Sequence, residues 1–154
     1  EKTYRLKVDS AAFVALDGLH TNTYESTFKI KSLESYATLF ILMDKLSGGE
    51  VLELLDKNEK VIRTVKATKE TVFQHLNPGE YYLRLFVDEN GNNKWDTGNY
   101  AAKKQAEAVY YCPFKFTLRA FWEVEENWDY RALPLLKQKP EELIKSSTNK
   151  KKNK

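Results

Sequence analysis

Residue types that commonly build catalytic or metal sites are scarce in this chain of 154 residues, which has one cysteine and two histidines. The single Cys112 excludes an intrachain disulfide and a zinc site built from cysteines. His20 and His75 are far apart in the sequence and lack ligand-like spacing. Because Cys112 stands among tyrosines and a proline, we expect it to be a small buried residue and not a nucleophile.

Long apolar runs and nucleophile motifs are also missing. No stretch approaches the roughly 18 apolar residues that a membrane-spanning helix needs. The sequence contains no G-x-S-x-G nucleophile elbow and no phosphate-binding loop. It therefore predicts no transmembrane segment and no enzyme.

The net charge of +3 is unevenly distributed along the chain. Residues 137–154 hold seven lysines and two glutamates, so the remaining 136 residues carry a net charge of −2. The larger part thus lacks the basic stripe that nucleic-acid binding requires, and we expect no nucleic-acid partner. Residues 137–154 have no aromatic side chain, and their composition predicts a flexible tail.

What the chain does have is a series of short segments in which apolar residues alternate with polar ones, as in half-buried strands. The segments are residues 4–8, 24–30, 51–55, 60–66, 70–76, 81–87, 109–111 and 114–121, and residues 37–43 add a nearly continuous apolar run that suits a central strand of a sandwich. Turn residues such as Pro78 and Gly79 separate them. This spacing predicts an all-β sandwich of about seven strands, preceded by a two-strand extension.

One stretch resembles a known family of such sandwiches. Residues 73–83, FQHLNPGEYYL, match the pattern F-x-x-L-x-P-G-x-Y-x-L. This pattern is similar to the signature of prealbumin-like modules, which include the B-type (Cna-B-like) repeats of surface adhesins and the regulatory domains of carboxypeptidases. The resemblance implies a prealbumin-like or Ig-like sandwich over residues 33–136.

A second resemblance covers most of the chain. It rests on residues 83–100, 110–113, 118–129 and 132–140, which are similar to the C-terminal region of Bacteroidetes surface or periplasmic lipoproteins built from tandem Ig-like domains. In that family a Lys-rich tail follows the closing domain, as residues 137–154 would do here. Residues 1–32 resemble the terminal strands of the preceding Ig-like domain, which would be truncated in this chain.

The resemblance implies a setting and a role. The setting is the cell envelope, at the outer-membrane surface or its periplasmic face, with a lipid anchor on a segment that precedes residue 1. The role is that of a non-catalytic spacer or protein-interaction module of a larger surface lipoprotein. The implied partners are other domains of the same chain, and a cell-surface protein or glycan.

A polar loop follows the clearest predicted strand. Asp88, Asn90, Asn92 and Asp96 stand at relative positions 1, 3, 5 and 9, which is the spacing of oxygen ligands in Ca²⁺ loops. The match is partial, because position 12 carries Asn99 in place of the bidentate acid. The same residues also suit a rigid turn in which Asp and Asn bond to their own backbone. Both interpretations, a calcium site and a turn, remain open from the sequence.

Aromatic residues offer an alternative function. Trp95, Tyr100, Trp122 and Trp128 could stack on sugars in a carbohydrate-binding module, or the tryptophans could close the edge of the core. An exposed coplanar pair would favour sugar binding, and burial of the indoles would argue against it.

An acidic run follows Trp122. Its members are Glu123, Glu125, Glu126 and Asp129. Paired carboxylates can hydrolyse glycosides. These acids are predicted to form one exposed charged segment without a partner acid, so we expect no catalysis from them.

Overall fold

The computed structural model describes residues 2–144, and their regular structure is almost entirely β-strand, which confirms the predicted all-β class. The strands are β1 (Lys2–Val8), β2 (Tyr24–Ile30), β3 (Ala37–Leu42), β4 (Glu50–Asp56), β5 (Val61–Lys66), β6 (Glu70–Leu76), β7 (Gly79–Val87), β8 (Val109–Tyr111), β9 (Phe116–Leu118) and β10 (Glu123–Asn127). Short 3-10 helices lie at Leu33–Ser35 and Leu135–Lys137. No helix in residues 2–144 is long and apolar enough to cross a membrane.

The chain divides into two compact units between Ser35 and Tyr36, three residues after the predicted boundary at residue 32. In the first unit, β1 and β2 form an antiparallel ribbon. The alternation of the strands places apolar side chains on one face, where the rings of Tyr4 and Phe28 stack at a centroid distance of 5.8 Å. Within residues 2–35 the unit has no second layer of its own, and these rings remain about half exposed.

The second unit is a sandwich of two sheets, as predicted. The smaller sheet has the order β10-β3-β6, and the larger has the order β5-β4-β7-β8, with β9 also paired to β7. All strand pairs are antiparallel except β10 with β3, the last and first strands of the unit. The core lies between the sheets and includes Leu39 and Phe73 from one and Leu54 and Leu85 from the other.

The central strands of the larger sheet are covered on both faces. Leu83 and Leu85 of β7 point into the sandwich core. The opposite face of β7 carries Tyr82 and Phe86, which are also buried, at 3% and 1% exposure. A strand that is buried on both sides needs apolar residues at nearly every position, and the continuous burial of β4 has the same cause.

The structure corrects the predicted strands near residue 120. The predicted strand 114–121 is reduced to β9, because a turn begins at Arg119 and places Phe121 at a φ of +64°. The acidic segment after it, predicted as an exposed charged run, is strand β10. Val124 packs against the core there, and parallel pairing with β3 outweighs the low strand propensity of glutamate.

The predicted boundary of the flexible tail at residue 137 is wrong. Gln138 and Leu143 are buried, at 2% and 1% exposure. Leu143 joins Leu55 and Tyr82 in a second small cluster, and residues 141–144 form a helical turn. The segment packs here because the Leu143 side chain has apolar neighbours and the Gln138 amide has hydrogen-bond partners, although the composition of the segment is highly charged. The rest of the predicted tail, residues 145–154, lies outside the described residues.

Candidate functional site

The polar loop after β7 is organised by Asp88, which is nine-tenths buried. Its Oδ1 accepts hydrogen bonds from the backbone N–H of Gly91 at 2.7 Å and of Asn92 at 3.2 Å. Its Oδ2 accepts the N–H of Asn93 at 2.7 Å. Burial raises the pKa of this carboxyl, but the backbone hydrogen bonds outweigh burial and lower the pKa overall. The loop is therefore wound around an ionised aspartate.

The other three residues of the predicted calcium set converge on the same loop. The side-chain amides of Asn90 and Asn92 both donate to Oδ2 of Asp96, the latter at 2.9 Å. No group of three or more His, Cys, Asp or Glu side chains within residues 2–144 is arranged to hold a metal ion. The loop thus closes through its own hydrogen bonds, as the turn interpretation predicts. Calcium binding by Asp88, Asn90, Asn92 and Asp96 stays a prediction.

Glu107 is a residue of this loop that the sequence did not single out. Its buried carboxylate accepts the N–H of Glu89 at 2.9 Å and of Asp96 at 3.0 Å. The indole N–H of Trp95 donates to the carbonyl oxygen of Glu107 at 2.9 Å. Glu107 therefore ties both ends of the loop to the segment before β8. Nothing in its local sequence indicates this role, because its partners are 11 and 18 residues away.

The four aromatic residues of the predicted sugar platform are in different environments. Trp95 and Trp122 are 45% and 46% exposed, and Tyr100 is fully exposed. Trp128 is only 4% exposed and belongs to the core, so it cannot contribute to an exposed platform. The guanidinium of Arg119 lies 5.1 Å from the ring centroid of Trp122. Trp128 is buried because it directly follows β10, where its backbone N–H donates to the carbonyl oxygen of Leu42 at the end of β3.

The acidic run is spread along an edge strand. Glu123 and Glu125 are exposed on β10, which has β3 as its partner in the smaller sheet. Asp129 forms an ion pair with Lys45 at 2.8 Å. The Lys45 ammonium, through its hydrogen bond, lowers the pKa of the Asp129 carboxyl. Charged side chains on an edge strand commonly prevent pairing with other sheets.

Cys112 is fully buried, as predicted. Burial raises the pKa of its thiol to about 12. The thiolate is therefore negligible at neutral pH, and this residue packs as a small apolar group in the core.

Glu50 is a second buried carboxylate that sequence reasoning missed. Its Oε1 accepts the N–H of Ser47 at 2.6 Å and the hydroxyl of Tyr130 at 2.7 Å. Its Oε2 accepts the N–H groups of Gly48 and Gly49 at 2.8 and 3.1 Å. Burial opposes ionisation, but the hydrogen bonds from Ser47, Tyr130 and Gly48 outweigh it and lower the pKa of Glu50 to about 2. The carboxylate thus holds residues 47–49, the turn before β4, in place through hydrogen bonds to their backbone.

A cavity of about 290 Å³ lies beside the ends of β8 and β10. Aromatic side chains dominate its walls, among them Tyr111, Phe114, Trp128 and Tyr130. Trp128 and Tyr130 make an edge-to-face contact at 6.4 Å. Gln138 secures the wall, since its amide donates to two backbone carbonyls and its Oε1 accepts the N–H of Tyr111 at 3.1 Å. The cavity is therefore a preformed apolar recess of the second unit.

Comparison of the chain with models of protein families, with curated proteins and with solved structures finds no match.

Proposed function

We propose that this chain is a non-catalytic β-sandwich module of a cell-envelope protein, acting as a structural spacer or protein-interaction domain. The observation that carries the proposal is how its buried acids are used. Among the buried acids of the described residues, Glu53 pairs with Arg84, whereas Glu50, Asp88 and Glu107 each accept backbone N–H groups. Such acids hold loops in place and are not arranged around a reacting group.

The exposed apolar face of the first unit supports the proposal that the module is part of a larger protein. The ribbon of β1 and β2 exposes large apolar residues along one face: Tyr4, Leu6, Tyr24, Phe28 and Ile30. Full burial of one such side chain is worth about 1.5–3 kcal/mol, and a two-stranded ribbon is marginal in water without it. We infer that further strands of an Ig-like domain cover this face in the complete protein.

The resemblance to Bacteroidetes lipoproteins gives the proposed location, with a lipid anchor on a preceding segment. The test is metabolic labelling of the full-length gene product with a fatty-acid analogue, followed by protease treatment of intact cells. We expect label on the protein and a fragment that contains residues 36–144 to resist digestion. An unlabelled protein in the cytosolic fraction would contradict the proposed location.

The alternative, a carbohydrate-binding module, would use Trp95, Tyr100 and Trp122, the three aromatic residues of the predicted set that are exposed. Two of them already have polar contacts, Trp95 with Glu107 and Trp122 with Arg119. A glycan array distinguishes the two functions. Retention of a glycan by the wild type and its loss in both W95A and W122A would favour the carbohydrate-binding alternative.

A further inference from the structure

Strand β3 is apolar on both of its faces, but only one face is buried. Leu39 and Ile41 point into the sandwich core at 0% exposure. Phe40 and Leu42 alternate with them along the strand, so they point to the opposite side, where they are only partly buried. A sheet face that is left to solvent normally carries polar residues. The outer side of β3 therefore has the composition of a covered face, although residues 2–144 leave it accessible.

The two neighbours of β3 in the smaller sheet carry acids on the same side. The register places Phe40 between Glu125 of β10 and Val72 of β6, and it places Leu42 beside Glu70 of β6. We define the outer face by its apolar centre and its acidic margins: Phe40, Leu42, Val72, Glu70, Glu123 and Glu125. Strands β3, β6 and β10 contain no lysine or arginine, so they bring no compensating cation to this face.

We propose that the outer face binds a basic amphipathic helix of a partner protein. The axes of the two outer strands of a three-stranded sheet are about 10 Å apart, which is about the diameter of one α-helix. An apolar stripe on the helix would cover Phe40 and Leu42. Lysines or arginines on both flanks of that stripe would meet the glutamates of β6 and β10. The inference rests on the interaction role within the proposed function and names the chemistry of its partner.

Charge separates this occupant from the others. A second copy of the outer face would place glutamates opposite glutamates, and nucleic acid or an anionic membrane would be repelled in the same way. Residues 145–154 of this chain supply five lysines, but they contain no apolar side chain that covers Phe40 and Leu42. A partner that is both basic and apolar satisfies both parts of the face.

The test is an NMR titration of the full chain with the peptide acetyl-KLAKKLAKLAKKLAK-amide, whose leucines recur at helical spacing. We expect saturable shifts of the backbone amide signals of β3, β6 and β10, with a dissociation constant on the order of 0.1 mM in dilute salt. The acidic counterpart, acetyl-ELAEELAELAEELAE-amide, should leave these signals unchanged. Shifts confined to other parts of the chain, or equal binding of the two peptides, would overturn the proposal.

Substitution of the acids measures the contribution of charge. E70Q/E125Q removes one glutamate from each margin of the outer face and should weaken binding of the basic peptide about fivefold. E34Q/E89Q is the matched control, because Glu34 and Glu89 are exposed acids outside this face. Both variants change only exposed side chains, so both should fold. Equal affinities of the two variants would contradict the assignment.

The apolar centre has a matched pair of its own. Val72 on β6 and Val61 on β5 are 36% and 37% exposed, and both strands are edges of their sheets. V72K places a cation in the centre of the outer face and should weaken binding of the basic peptide about tenfold. V61K should bind as the wild type does. A loss of affinity in V61K as large as in V72K would contradict binding at this face.

Further arms test the other occupants. The peptide acetyl-KSSTNKKKNK-amide, which has the sequence of residues 145–154, should bind at least tenfold more weakly because it leaves the apolar centre uncovered. Affinity equal to that of the amphipathic peptide would overturn the proposal in favour of this segment. Shifts of the same amides on dilution of the chain would overturn it in favour of a second copy. These outcomes are independent of lipid labelling, so failure here leaves the spacer role and the location standing.

Discussion

At the scale of single residues, buried carboxylates determine how the loops of the sandwich are built. Glu50, Asp88 and Glu107 have little access to solvent, and each is surrounded by N–H donors. A buried anion is tolerated only when its lone pairs are used in this way. Substitution of these residues should therefore affect stability and loop order.

The clearest case is Glu50. The pKa of about 2 in the folded protein lies below the ordinary glutamate pKa of 4.5, so the ionised carboxylate stabilises the fold fully above pH 4.5. This contribution, about 3 kcal/mol by linkage, is lost as the pH falls from 4.5 through 2. The difference in unfolding free energy between the wild type and E50Q, measured in urea at pH 7 and pH 2.5, isolates it from Asp88 and Asp129, whose carboxyl pKa values are also lowered. A decrease of less than about 0.5 kcal/mol between these pH values would contradict the assignment.

The same carboxylate can be tested by mutation. E50Q keeps the shape of the side chain but loses the charge and presents N–H groups to backbone donors, so we expect a loss of about 2–3 kcal/mol at pH 7. E123Q is the matched control, because Glu123 is exposed on β10 and should change stability by less than about 0.5 kcal/mol. Equal effects of E50Q and E123Q would exclude a special role for Glu50.

For the polar loop, the hydrogen bonds of Asp88 predict a turn that forms without an ion. We expect melting temperatures in 1 mM EDTA and in 5 mM calcium to agree within about 1 °C. A bound ion at one hundred times its dissociation constant would add about 2.7 kcal/mol and raise the melting temperature by several degrees. Such a rise, lost in D96N, would establish the calcium interpretation.

At the scale of elements, the final segment of the described chain behaves as a strap on the outer face of the larger sheet. Gln138 bonds to the backbone of β8, and Leu143 packs on Leu55 of β4 and Tyr82 of β7. A short segment of this kind is held by few contacts, so its opening should require less free energy than global unfolding.

The strap gives a prediction with a neighbouring control. L143A removes a fully buried side chain and should destabilise the strap by about 2–3 kcal/mol. I144A changes the adjacent residue, which is 49% exposed, and should have a smaller effect. Hydrogen exchange at the amide of Tyr111, which is bonded to Gln138, reports the opening. Faster exchange in I144A than in L143A would be inconsistent with this packing.

At the scale of the whole molecule, the two units differ in how much core each possesses. The second unit has a continuous core between two sheets, whereas the described residues of the first, 2–35, form a single ribbon without a second layer. Most of the free energy of unfolding should therefore come from the second unit.

A fragment of residues 36–144 should unfold in one cooperative transition, close to that of the complete chain. A peptide of residues 2–31 should lack stable strand structure in water. Circular dichroism of both pieces checks this prediction. A folded peptide, or a fragment without a cooperative transition, would contradict the assignment of the core.

Much of the fold could be read from local patterns. Alternation in residues 81–87 and the turn at Pro78 predict β7 as a half-buried strand, and the strand is present, but both of its faces are buried because other parts of the chain cover them. The same rule failed at β10, where three of the five residues are glutamates whose strand state depends on pairing with β3. Composition predicts a flexible tail that includes Gln138 and Leu143, because it describes an average over the segment and does not show that these two side chains have buried contacts.

The sequence by itself determined the strand periodicity, the turns, the lone buried cysteine and the gathering of Asp88, Asn90, Asn92 and Asp96 in one loop. All of these depend on neighbours within a few residues. Tertiary structure alone decided that Glu107 ties the loop, that Glu50 meets Tyr130 and that Trp128 lines a recess. These contacts join residues far apart in the chain, so no local pattern carries them.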